Sequence, residues 1–333
     1  MRIKVITPSR LHFGLIDLNG QIGRIDGGLG VALDRPNVII EAQNGQTDEN
    51  DFNTINCSGY SSDEVEELTK TIMKSLKIEN GISLQINSSI PAHVGLGSKT
   101  QLSLAIAKTL CILKNIEKTP YELAQLTRRG GTSRIGLTAF EQGGFVVDGG
   151  HSFGEGKQKE TYLPSSASRA PPAPIIYWDE IPDDWQFVLI IPKIQRGASG
   201  SEEVNIFQTY CPIPLDEVKT ISHLILMKIL PALKNKEIDA FGHGIYELQK
   251  IGFKKLEIDL QDGIIPELIE FCMKNGAYGS GMSSFGPSTF ALVKGLPNAQ
   301  KLQQKIAQFM KKRCEIDIFI ASVNNTGAQI EIS

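Results

Sequence analysis

Residues Ser98–Leu113 read SKTQLSLAIAKTLCIL, a spacing that predicts a helix with apolar or small side chains on most of its faces. Such a helix cannot lie on a surface, so the rest of the chain has to wrap it. Ahead of it, Ile82, Leu84 and Ile86 alternate as in a half-buried strand, and Pro91-Ala-His-Val-Gly-Leu-Gly-Ser-Lys-Thr-Gln forms the connection. Gly95 and Gly97 let the backbone close around a bound group. The first helical turn adds N–H donors without intrahelical partners and the positive end of the helix dipole. Ser98 and Thr100 contribute hydroxyls and Lys99 a full positive charge. The expected product is a phosphate or pyrophosphate cradle, although the glycine-to-lysine spacing is not that of a Walker A loop.

The other periodicities are mixed. Residues 2–7 and 38–42 read as strands, separated by a glycine-rich stretch over residues 11–33 suited to tight turns or close approach to a ligand. A helix is expected over residues 63–76 behind the capping-box form Ser61-x-x-Glu64, and another opens at Thr119-Pro120-x-Glu122. Five prolines between Pro164 and Pro182 mark a linker, which gives domains at 1–163 and 186–333 joined by 164–185. The second half holds strands at 186–192, 289–293 and 316–321. Its helices are expected at 216–233 (kinked at Pro231), 237–250, 265–275 and 299–313. Without regular β-α-β-α alternation, this is an α+β chain and not a doubly wound sheet.

Charge narrows the function. With 34 basic and 37 acidic residues among 333, the net charge of −3 excludes a dedicated nucleic-acid binder. Apolar runs are too short to span a bilayer, and no targeting segment is read at the start, so a cytoplasmic protein without membrane contact is expected. The five cysteines lack any C-x-x-C pair and read as small buried residues, not as a disulfide or zinc framework.

Pro91-x-x-x-Gly95-Leu96-Gly97-Ser98 resembles the phosphate-binding motif of the GHMP superfamily (galacto-, homoserine, mevalonate and phosphomevalonate kinases). Gly279-Ser-Gly-Met-Ser-Ser-Phe-Gly-Pro-Ser-Thr-Phe-Ala-Leu resembles the superfamily's third, glycine-rich motif. The resemblance implies a two-domain fold, with an N-terminal half like ribosomal protein S5 domain 2 and a ferredoxin-like C-terminal half. The kinases often carry Ser-Gly-x-Asp in mid-chain; here Ser133-Arg134-Ile135-Gly136 puts glycine where that acid would stand. One branch fits these departures. The segments beginning at Ser9, Asp26, Arg129, Ala139 and Arg196, above all Phe140–Ser152, resemble β-ribofuranosylaminobenzene 5′-phosphate synthase over nearly the whole chain.

That resemblance implies a decarboxylating C-ribosyltransferase, a pentosyltransferase of archaeal methanopterin biosynthesis. It joins phosphoribosyl pyrophosphate to 4-aminobenzoate or 4-hydroxybenzoate, with release of CO₂ and pyrophosphate. Mg²⁺ or Mn²⁺ and a homodimer are expected, and no organic cofactor. Lys99 would stabilise departing pyrophosphate, and Asp26, Glu141 and Asp148 the ribosyl cation. Asp17 and Glu202 are the expected metal ligands. Substrate contacts are expected from Arg10, His12, Arg24, Gly95, Gly97, Ser98, Thr100, Arg129, His151, Arg196, Ser283 and Ser284. His93, His223 and His243 are expected to pack. The alternatives are an ATP-dependent GHMP small-molecule kinase and a non-catalytic sensor that retains the cleft.

Overall fold

The computed structural model of the protein describes residues 1–44, 53–57, 62–79, 82–194, 198 and 200–333. Ser61 of the expected capping box and Arg196 lie outside the described residues.

The first sheet is built from β1 (Arg2–Asp17), β2 (Arg24–Asn44), β3 (Asn53–Cys57), β4 (Ile82–Ser88), β5 (Phe145–Asp148), β6 (His151–Ser152) and β7 (Ile175–Asp179). The second holds β8 (Trp185–Pro192), β9 (Gly279–Met282), β10 (Thr289–Lys294) and β11 (Ile316–Ser322) in the antiparallel order β11-β8-β10-β9. The last strand, β12 (Gln329–Ile332), returns to the first sheet beside β1. The helices of the first half are α1 (Ser62–Leu76), α2 (Ser98–Leu113), α3 (Pro120–Leu126) and α4 (Ile135–Glu141). Those of the second are α5 (Ser201–Tyr210), α6 (Leu215–Leu224), α7 (Leu230–Lys234), α8 (Ile238–Leu248), α9 (Gly252–Asp259), α10 (Ile264–Lys274) and α11 (Leu296–Met310). The chain is α+β, as its mixed periodicities require.

α2 is buried almost throughout and packs on β1 and β2, with α1, α3 and α4 around it. This is the wrapping that its uniformly apolar surface demands. The glycine-rich stretch differs from expectation, because most of it lies in the long β1–β2 ladder, with bulges at Thr7/Ser9 and His12/Gly14. At Gly30 the missing side chain makes room for α4. A Cβ on Gly30 would stand 2.2 Å from the Leu11 carbonyl oxygen and 2.5 Å from Ile135 Cγ2.

The proline-rich stretch also holds more structure than a linker needs: β7 pairs with β5 inside it. The expected kink at Pro231 is a π turn over Ile225–Ile229 followed by α7, with Pro231 in that helix's first turn. The helix runs on through this stretch, and the π turn sits directly ahead of the proline, whose ring and missing N–H interrupt the i→i−4 ladder.

One hydrophobic cluster joins the two sheets. Phe290 of β10 lies 5.1 Å from Phe13 of β1 and 6.2 Å from Phe187 of β8, centroid to centroid. Phe290→Ala removes the ring at this junction and is expected to cost about 3–5 kcal/mol. Calorimetric unfolding checks this, and a loss below about 1 kcal/mol would mean that the two sheets do not share a core.

Candidate active site

A cleft of about 230 Å³ opens at the amino end of α2, where Gly97, Ser98, Lys99 and Thr100 form one wall. Gly97 has φ 82° at the cap position and no side chain caps the helix. The amides of Lys99 and Thr100 therefore lack intrahelical acceptors, and the Lys99 side chain is exposed at the rim.

The loop between β9 and β10 clamps this wall. Buried Ser283 donates its hydroxyl to the Gly95 carbonyl at 2.7 Å and accepts the His12 amide at 3.0 Å. Arg10 donates to the same Gly95 carbonyl and reaches Ser283 Oγ at 3.4 Å. Gly95, at φ +85°, is packed so closely that an added Cβ would stand 2.1 Å from the Ser283 carbonyl oxygen. Burial brings the Arg10 guanidinium down to about 10, with Glu257 opposing.

His12 is 6% exposed, and its Nδ1 has no hydrogen-bond partner. Burial, helped by the Arg10 and Lys254 charges, holds its imidazole well below the ordinary value, so the ring is neutral. A Cβ on Gly28 would lie 3.0 Å from His12 Nε2, 3.3 Å from Ser133 Oγ and 3.6 Å from Asp148 Oδ2, so the three groups converge there. Asp148 is fully buried behind the cleft and accepts the amides of Arg134 at 2.8 Å and Gly150 at 3.1 Å. Burial outweighs these bonds and pushes its carboxyl up to about 6. Gly136 is buried in α4, and a Cβ there would sit 3.2 Å from Thr100 Cγ2. An acid at this position would be aimed at the amino end of α2; glycine leaves that end without the charge.

α5 and α9 add residues that sequence reading did not single out. Lys254 and Glu257 form a buried ion pair from α9, and Lys254 also donates to the Ser284 carbonyl at 3.0 Å. Burial lowers the lysine and raises the acid. Glu203, at the cleft wall, accepts from Ser166 Oγ at 3.1 Å, and burial pushes it up to about 7 with the Glu257 charge adding. Arg129 also lines the cleft with its Nε unpartnered, its guanidinium lowered by burial. His93 also lines the cleft, in a positive-φ conformation.

Several expected site residues stand elsewhere. Asp26 is buried between Lys159 Nζ at 2.9 Å and His151 Nδ1 at 2.7 Å, while His151 Nε2 faces the Pro171 carbonyl at 2.8 Å. Lys159 also donates to Thr132 and Leu163, so this knot pins the glycine-flanked loops behind the cleft and uses up its own charges. Arg24 binds the Gly149 and Gly150 carbonyls, and Glu141 pairs with Arg134 at 3.2 Å. The metal ligands expected at Asp17 and Glu202 do not fit: Asp17 Oδ1 closes a turn by accepting the Asn19 and Gly20 amides. Glu202 is exposed on α5, and neither lines the cleft. Among the described residues no group of three or more histidines, cysteines and acids could hold a metal. None of their helices is long and apolar enough to cross a membrane.

A helix end, a glycine clamp and a second-domain loop on one cleft define a class. The GHMP kinases N terminal domain matches residues 64–144 and the GHMP kinases C terminal matches residues 229–312. Homoserine kinase from Cytophaga hutchinsonii superposes with a TM-score of 0.67 at 17% identity, over 99% of this chain and 97% of that one. The Methanococcus jannaschii mevalonate kinase does so at 0.64 and 18% identity, over 98% of each chain. The chain therefore has the two-domain GHMP fold. It is 46% identical to a β-ribofuranosylphenol 5′-phosphate synthase of Methanocaldococcus jannaschii, over 97% of this chain and 98% of the relative. The relative so named in Archaeoglobus fulgidus is 41% identical over 99% and 100%. The one in Methanothermobacter thermautotrophicus is 43% identical over 87% and 88%. The chain belongs to this synthase family.

Gly95→Ala forces the loop off Ser283, and affinity for inorganic pyrophosphate should fall at least about tenfold by calorimetry. Unchanged affinity would show that the clamp does not shape the cradle. Asp148 holds its proton more tightly folded than unfolded between about pH 4 and its folded value near 6. Its contribution to stability therefore falls as pH rises through that window. Asp148→Asn lacks this loss and should gain about 2 kcal/mol on the wild type between pH 4 and 6.5 in urea unfolding. Parallel stability profiles would contradict it.

Proposed function

We propose that the chain condenses phosphoribosyl pyrophosphate with 4-hydroxybenzoate to a C-riboside 5′-phosphate, releasing CO₂ and pyrophosphate. The observation that carries this reading is end-to-end identity of 41–46% with synthases named for a β-ribofuranosylphenol 5′-phosphate product. Their names speak of a phenol, which favours the hydroxy acceptor over 4-aminobenzoate. The kinase alternative rests on fold alone, since those solved kinases share only 17–18% of residues.

The cleft suits the chemistry. The C1′–O bond breaks as pyrophosphate leaves, and Lys99, the amino end of α2, Arg10 and Arg129 supply fixed positive charge for it. The aromatic carbon bearing the carboxylate then bonds to C1′. Loss of CO₂ returns the electron pair that restores aromaticity, so the overall reaction takes up and releases no proton. Glycine at 136 agrees with this, because no aliphatic hydroxyl has to be deprotonated. A divalent cation belongs to the reading as escort of the donor's pyrophosphate, whose charge it would offset. No step here depends on it. A homodimeric, cytoplasmic enzyme completes the proposal.

Incubation with Mg²⁺, phosphoribosyl pyrophosphate and each benzoate should release CO₂ and pyrophosphate in equal amounts. Lys99→Ala should lower the rate by about 10²–10³. ADP formation from ATP with no CO₂ from any benzoate would replace this reading by the kinase one.

A further inference from the structure

Part of the cleft wall is aromatic and carries no charge. Phe207 of α5 and Phe285 of the β9–β10 loop line it together with Leu15 of β1. Phe207 and Phe285 lie 6.4 Å apart and share Phe253, which packs 4.6 Å from the first and 5.9 Å from the second. This wall suits a planar ring, which offset stacking or edge contact would hold. Glu203 precedes Phe207 by one helical turn and so lies on the same face of α5.

Two carboxylates line the cleft, and they are not equivalent. Glu257 is paired with Lys254. Glu203 has no cation within salt-bridge distance among the described residues, and its one hydrogen bond there is from Ser166. A carboxylate without a cation, beside an aromatic wall, is a site for a hydrogen-bond donor carried on an aromatic ring.

We propose that Glu203 is the catalytic residue for the para-hydroxyl of the aromatic acceptor. It accepts that hydroxyl's hydrogen bond, takes the proton as the ring carbon bonds to C1′, and returns it after CO₂ has left. This rests on the synthase reading and deepens it. The proton moves from the phenol oxygen to a Glu203 oxygen as the ring becomes a neutral dienone. Departure of CO₂ turns the dienone into a phenolate, and the same proton restores the phenol, so nothing is consumed. A free phenol is acidic near pH 10, like a tyrosine, and becomes far more acidic as positive charge enters the ring. A carboxyl held near 7 is therefore strong enough at the transition state, where an aliphatic alcohol would need more.

The test compares wild type with Glu203→Gln on 4-hydroxybenzoate and on 3,5-difluoro-4-hydroxybenzoate, which is already a phenolate at neutral pH. CO₂ release is followed with saturating phosphoribosyl pyrophosphate, and pyrophosphate binding to the variant serves as the folding control. The variant should be slower by about 10²-fold or more with 4-hydroxybenzoate and by less than about fivefold with the fluorinated acid. An equal loss with both acids, or no loss with either, would overturn the assignment of Glu203. Absence of wild-type CO₂ release with every benzoate would instead overturn the synthase reading beneath it.

Discussion

The Ser283 hydroxyl on the Gly95 carbonyl is the contact on which the site depends. The phosphate loop belongs to the first sheet's side of the molecule and Ser283 to the second's, so this bond is where the two halves agree on one geometry. It does not act alone. The Arg10 amide binds the Leu96 carbonyl at 3.2 Å, and the Ser288 amide binds the Val94 carbonyl at 3.2 Å. The loop is thus gripped by β1 on one side and by the third glycine motif on the other. Behind it the shared core of Phe13, Phe187 and Phe290 makes the grip rigid, and the amide groups at the head of α2 hold their direction before any ligand arrives.

The electrostatics follow from that rigidity. Arg10, Lys99, Arg129 and Lys254 face or underlie the cleft against Glu203 and Glu257, and His12 stays neutral because burial and its cationic neighbours both disfavour its charge. Desolvated cations without enough counter-charge are costly in a free protein. An anion entering the cleft would relieve that cost, as the proposed reaction requires. The acid further back, Asp26 in its knot with Lys159 and His151, is neutralised internally and shapes loops without lining the cleft.

Much of this was legible in the residues. The apolar faces of Ser98–Leu113 required a central helix, and it stands in the structure; the glycines, serine, lysine and threonine at its head were read as one site, and the structure brings them to one cleft wall. What sequence could not separate was a carboxylate facing the cleft from one facing another cation. Asp26 and Glu141 sit in glycine-flanked segments just as a catalytic acid would, yet Lys159 and Arg134 neutralise them across 133 and 7 residues of chain. The reverse error is local. Glu202 and Glu203 are adjacent, and only the rotation of α5 decides which one enters the cleft. Lys254 and Glu257 lie in a short helix with an ordinary charged pattern, and nothing in that pattern marks their burial. The glycines of β1 and β2 suggested turns or a ligand, but at Gly30 the close neighbours are the Leu11 carbonyl and Ile135 of α4, a property of packing and not of turns.

The most direct test is a crystal structure of the protein with phosphoribosyl pyrophosphate and an unreactive benzoate analogue. The account predicts the donor's pyrophosphate on the Lys99 and Thr100 amides, beneath the Gly95–Ser283 clamp, with C1′ turned toward the aromatic wall. Pyrophosphate bound away from α2, or a ribose whose C1′ faces solvent with that wall empty, would contradict it.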